Sequence, residues 1–198
     1  MEINTFFRNN FGFSEKTMDA LELSGYFENV DIAEYRKKDI IIHEGENLDS
    51  VYFLVKGVVR WFLLDEKGNE LTDYLVYNTG DFVSPYHFND TPCMVDIQAI
   101  TNVQTIRVPK LGFNTLMEQH PEVLNKSIRM MSDRFLEHWT YSVKIHSLNS
   151  MDRYQWFVKN HGRLIGRISN KYIASYLTMT PSTLSRIQKR YRELQQDT

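Results

Sequence analysis

The sequence lacks the features that covalent cross-linking, membrane insertion and most enzymatic chemistry require. One cysteine, Cys93, in 198 residues excludes internal disulfides and any cluster held by four thiolates. The longest apolar runs are Val51–Val55 and Val58–Leu64, the second interrupted by Arg60, so no stretch can span a bilayer as a helix. Met1-Glu2-Ile3-Asn4 has no basic start leading into an apolar segment, and no signal peptide is expected. These absences point to a cytoplasmic protein with no membrane partner. There is no glycine-rich phosphate loop and no recognisable nucleophile–base motif, so no enzyme is expected and no catalytic residue is assigned. The six histidines, at 43, 87, 120, 138, 146 and 161, contain no close pair, and no metal site is expected from them.

What is present is unevenly distributed. Hydrophobic residues at 42% and charged residues at 24% exclude a disordered chain, and the length suits one large domain or two small ones. The net charge of −2 conceals an acidic body and a basic tail. Residues 1–150 carry 14 Lys/Arg against 22 Asp/Glu, whereas residues 151–198 carry 9 against 3. A net +6 on a short tail joined to a net −8 body is the balance of a polyanion-binding module attached to something with another task.

From about residue 31 to 110 the chain reads as short β-rich runs, Asp39–Ile42, Val51–Val55, Val58–Leu64, Leu71–Val76, Val95–Ile100 and Thr105–Val108. Gly45, Gly57, Gly68 and Gly80 punctuate them at even spacing, and Glu66-Lys67-Gly68-Asn69 reads as a hairpin turn. This pattern predicts an antiparallel barrel or jelly roll, flanked by helices near Glu15–Glu22 and Leu111–Gln119. Pro121 then opens a helix that runs to about Leu148 without Gly or Pro. Leu124, Ile128, Met131, Phe135, His138, Ser142 and Ile145 follow the a/d spacing of a coiled coil along it. The same stripe would serve a helix packed on its own barrel. The length of the run favours a homodimer seam.

The last segment reads as three short helices. Asp152–Asn160 forms the first, and Ser169 caps the second, with Ile173, Ala174 and Leu177 on its inner face. Thr180-Pro181 places a capping hydroxyl and an N1 proline at the start of the third. Leu184, Ile187, Tyr191 and Leu194 are expected to face inward along that helix. Two helices, a four-residue turn and a basic outer face describe a helix-turn-helix. Ser169, Thr180, Ser182, Thr183, Ser185, Arg186, Lys189 and Arg190 are the candidate DNA-binding residues, hydroxyls for phosphates or base edges and Arg186 for a guanine. Thr178 stands where such turns usually carry glycine.

The order of barrel, long helix and helix-turn-helix resembles the cyclic-AMP receptor protein/FNR (Crp/Fnr) family of bacterial transcription regulators. The carriers are Ile42-His43-Glu44-Gly45-Glu46, Val51–Gly57, Gly80-Asp81-Phe82 and Thr180–Arg190. The resemblance implies an α+β fold: a cyclic-nucleotide-binding-like β-roll over residues 1–120, a dimerisation helix over 121–149 and a helix-turn-helix domain over 150–198. Many members follow the recognition helix with a β-hairpin wing. No strand pair is readable after Leu194, so a reduced or absent wing is expected. The resemblance also implies a homodimer on a palindromic double-stranded operator, with RNA polymerase as a further partner. It places Arg186 on the family's guanine-reading arginine.

Nucleotide-binding members carry a glutamate and an arginine that hold the ribose and the cyclic phosphate; Pro85 and Cys93 stand there in this sequence, and His138 and Trp139 occupy the helix positions that offer hydroxyls to the base. The candidate effector pocket is thus Tyr74, Ser84, Tyr86, His87, Cys93, His138 and Trp139. Cyclic AMP is not expected to bind, and no other cofactor is assigned. The alternative reading is a metal- or haem-binding barrel enzyme or sensor with a helical accessory domain, in which His87 beside Cys93 ligates iron.

Overall fold

A computed structural model describes residues 2–23, 25–85 and 91–196. The fold is α+β. Helices α1 (Ile3–Phe11) and α2 (Glu15–Leu23) precede seven strands among the described residues: β1 (Asp31–Tyr35), β2 (Ile40–Ile42), β3 (Ser50–Lys56), β4 (Val59–Leu64), β5 (Glu70–Val76), β6 (Asp96–Ala99) and β7 (Val103–Pro109). They form a three-stranded sheet in the order β1-β7-β3 and a four-stranded sheet in the order β2-β6-β4-β5. The β1–β7, β3–β7 and β2–β6 pairs are antiparallel. Gly45, Gly57, Gly68 and Gly80 all take positive φ. At Gly57 a Cβ would also lie 2.6 Å from the Asn102 carbonyl oxygen, so this turn admits no side chain.

Helices α3 (Lys110–Gln119), α4 (Pro121–Ser147), α5 (Ser150–His161), α6 (Asn170–Tyr176) and α7 (Pro181–Gln196) follow. Among the described residues no helix is long and apolar enough to cross a membrane.

The chain divides into two compact units, and α4, read from the sequence as a segment of its own, contributes to both. The first comprises the chain up to Trp61 together with Leu75–Asp133. Its core gathers around Phe53, whose ring meets Phe11 and Phe82 at centroid distances of 5.0 Å and Phe113 at 5.6 Å. In β3 and β7 the pairs Val51–Val108 and Phe53–Ile106 face this core in register. Helix α1 joins it because Phe6, Phe7 and Phe11 recur at helical spacing and bury together. Leu124 and Met131 of α4 pack against the same cluster, so these two positions of the expected seam serve the core of their own unit.

The second unit comprises Phe62–Tyr74, the tip of the β4–β5 hairpin, and the chain from Arg134 onward. Tyr141 of α4 stacks on Tyr176 of α6 at 4.4 Å and donates its hydroxyl to the Tyr176 carbonyl at 2.9 Å. Phe157 meets the Tyr176 ring at 5.9 Å, and Leu164, Ile173, Ala174, Leu177 and Leu184 are also buried in this unit. Leu194 departs from its expected inward place: it is 50% exposed, because the last turn of α7 lies beyond the buried positions of that helix.

Candidate nucleic-acid interface

The basic tail becomes a defined surface because α6 and α7 are each fixed at their start. Asn149 caps α5 by accepting from the Met151 and Asp152 amides at 2.9 and 3.1 Å. Ser169 caps α6, accepting from the Lys171 amide at 3.3 Å. Thr180 caps α7, with Pro181 at its first position and the Thr183 amide donating to its hydroxyl at 3.1 Å. Between α6 and α7 the chain must reverse sharply, and Thr178 takes φ +52°, a left-handed conformation uncommon for a non-glycine residue. Arg153 of α5 holds this turn by donating to the Leu177 carbonyl at 2.8 Å and to the Thr178 hydroxyl. The departure from glycine at 178 thus changes the residue and keeps the backbone.

Burial of Leu184 sets the rotation of α7. The opposite face then presents Ser182, Ser185, Arg186, Lys189 and Arg190 to solvent, at i, i+3, i+4, i+7 and i+8. Ser169 and Thr180 are also exposed, whereas Thr183 is half-buried. The Thr183 hydroxyl bonds the Thr180 hydroxyl at 2.9 Å and accepts from Arg186 Nη2 at 3.5 Å, which tethers the base of that arginine's reach. Such a face offers hydroxyls near the helix N-terminus and guanidinium and ammonium groups further along, the order that a groove-entering helix uses.

The candidate effector residues fall in both units. Ser84 and Cys93 are buried in the first unit. Cys93 directs its thiol to the Val95 carbonyl at 3.2 Å, and burial pushes its pKa up, so it is a neutral group. Tyr86 and His87 lie outside the described residues. Tyr74, His138 and Trp139 belong to the second unit. Tyr74 is only 2% exposed and is engaged by Glu137, to which it donates, and by Arg134, which donates to it. His138 Nε2 lies 3.1 Å from both carboxylate oxygens of Asp73, which raises its pKa above the ordinary histidine value. Trp139 is 62% exposed and stacks on Phe135 at 6.3 Å.

The exposed apolar face of α4 also runs differently from the heptad. Ile128 and Phe135 are exposed as expected, but the stripe continues through Leu136, Trp139 and Val143, with Ser142 and Ile145 half-buried and His138 turned to Asp73. After Phe135 the exposed positions step by four, as a straight helix allows.

A cyclic nucleotide-binding domain matches residues 32–120. The cAMP-activated global transcriptional regulator CRP of Salmonella typhimurium is 27% identical over 115 residues, covering 57% of this chain and 54% of that protein. Over these residues the chain is similar to Crp/Fnr regulators. It spans about half the length of the curated relatives it matches. Among solved members of this fold, FixK2 from Bradyrhizobium japonicum superposes with a TM-score of 0.73 at 20% identity, covering 83% of this chain and 85% of that one. A mutant of CooA from Carboxydothermus hydrogenoformans gives 0.69 at 17% identity, covering 93% and 88%. At these identities the superpositions show a shared α+β fold and nothing more.

The side chains that sequence reasoning missed are Asp73, Arg134, Glu137, Ser175 and His161. Asp73 and Tyr74 meet α4 partners 65 and 63 positions away, and no local pattern announces such pairs.

Proposed function

We propose that the chain is a homodimeric, sequence-specific DNA-binding transcription regulator, without enzymatic activity, whose sensor domain does not respond to cyclic AMP. The observation that carries this reading is the exposed Ser182-Ser185-Arg186-Lys189-Arg190 face of α7, opposite the buried Leu184. Support for the dimer comes from α4, which exposes Ile128, Phe135, Leu136, Trp139 and Val143, more apolar surface than a helix keeps in water without a partner.

Arg186→Ala tests base reading. A bidentate arginine–guanine pair gives about 1–3 kcal/mol of discrimination, so the variant is expected to lose that much on an operator selected from random DNA and far less on a scrambled duplex. Arg192, whose Nε donates to its own helix at the Gln188 carbonyl, stands for a phosphate contact at most. Arg192→Ala is expected to weaken both duplexes alike and to lower the salt slope by about one. Equal losses on both duplexes for Arg186→Ala would remove the base-reading role.

Cyclic AMP is expected to leave the melting temperature unchanged. A neutral, buried Cys93 thiol, standing where nucleotide-binding members carry the arginine, has no charge for a cyclic phosphate. A ligand at a hundred times its Kd adds about 2.7 kcal/mol, so thermal denaturation detects binding readily. A saturable rise in melting temperature would overturn this part of the reading.

A further inference from the structure

Strand β5 ends the four-stranded sheet, so among the described residues its outer edge has no neighbouring strand. An uncovered edge presents alternate carbonyls and amides that invite another chain. Here a serine from a helix occupies two of them. The Ser175 hydroxyl of α6 accepts from the Thr72 amide at 2.8 Å and donates to the Glu70 carbonyl, also at 2.8 Å. A carbonyl and the amide two residues later lie on the same side of a strand, and one hydroxyl, both donor and acceptor, satisfies the pair. One turn earlier on α6, Lys171 Nζ lies 3.0 Å from Glu70 Oε2. The helix is therefore fastened to residues 70–72 by contacts at i and i+4, all within the second unit. The same strand grips α4 through Asp73–His138 and through Tyr74 with Glu137.

Ile173, Ala174 and Leu177 are wholly buried, so apolar packing accounts for the fold of α6. It does not call for a hydroxyl at 175. A serine interior to a seven-residue helix is a poor choice for helicity alone.

We propose that the outer edge of β5 is a docking clasp for the helix-turn-helix, closed by Ser175 and Lys171, which sets the direction in which α7 is presented without either residue touching DNA. Both are positioning residues. The consequence for DNA rests on the function proposed above; the clasp itself does not.

The test uses the full chain and two readouts. In Ser175→Ala, amide exchange at Thr72 is expected to quicken roughly fivefold to tenfold, the effect of losing one such hydrogen bond. The Leu184 amide, bonded to the Thr180 carbonyl, should keep its protection, which shows that α7 remains folded. Ser175→Thr, which keeps the hydroxyl, is expected to restore Thr72. The second readout is binding to the selected operator and to versions with half-sites moved apart by one base pair. The Ser175→Ala protein should lose several-fold of the wild-type preference for the native spacing, while keeping the preference at the base pair read by Arg186. Unchanged exchange at Thr72 overturns the clasp. Faster exchange with an unaltered spacing preference overturns the positioning role. If the wild-type chain prefers no operator at all, the DNA reading fails, and Thr72 exchange still decides the clasp.

Discussion

A chain carrying Phe135→Asp and Trp139→Asp is expected to sediment as a monomer where the wild type sediments as a dimer. The two rings are 66% and 62% exposed and stack on each other. Aromatic side chains of this kind bury about 150–250 Å² each and dominate interface energetics. Two aspartates per chain would place four carboxylates in a desolvated seam. The variant should keep its helical circular dichroism, because neither ring supports its own unit's core. The register of the seam is tested by a second pair. Val143→Asp, on the exposed stripe, is expected to dissociate the dimer without lowering the melting temperature of the monomer. Ile145→Asp, at a half-buried position, is expected to act through stability instead. A dimer that survives Phe135→Asp with Trp139→Asp places the interface elsewhere.

This shift of register shows what sequence periodicity can and cannot deliver. The heptad from Leu124 to Ile145 located the helix, which runs Pro121–Ser147, because hydrophobic spacing reports that a face exists. It could not report which partner covers the face. Leu124 and Met131 went to the core around Phe53, and His138 went to Asp73. The remaining strip followed the helix's natural drift to Trp139 and Val143.

The same distinction explains the strands. Runs rich in Val, Ile and Phe marked β2 to β7, whose side chains bury at alternate or successive positions. Strand β1 was silent because Asp-Ile-Ala-Glu-Tyr is an edge strand with mostly exposed positions. It is held by cross-strand polar contacts, including Arg107 on Asp31 at 2.6 and 3.0 Å and Gln104 on Glu34 at 3.0 Å. Such pairs join residues 70 and 76 positions apart. The basic face of α7 was legible for the opposite reason. Its cap, its proline and its basic stripe all lie between Thr180 and Arg190, and each works through local geometry.

The second unit is expected to lose stability in mild acid through one histidine. His161 is 4% exposed, with the rings of Trp156, Phe157 and Tyr176 at 5.2, 5.3 and 5.6 Å. Burial, with a smaller contribution from Arg163, brings its pKa down to about 4. In the unfolded chain the same imidazole titrates near its ordinary value of 6.5. Between these values the unfolded state binds the proton and the folded state does not, so stability is fully present above pH 6.5 and is lost as pH falls toward 4. The loss from pH 7 to pH 5 amounts to about 2 kcal/mol from this residue. His138 works in the opposite sense. Its pKa is raised by Asp73, so its pair is complete in acid and weakens as pH rises. With side-chain exposures of 43% and 34%, that pair contributes little in water and cannot offset His161. Urea unfolding of the wild type and of His161→Phe at pH 7 and pH 5 separates this effect from the general protonation of carboxylates, which both proteins share. The phenylalanine keeps a flat ring among the three aromatics and binds no proton. The wild type should lose about 2 kcal/mol more than the variant across that interval. Parallel losses in the two proteins would mean that His161 is protonated as readily in the folded chain as in water.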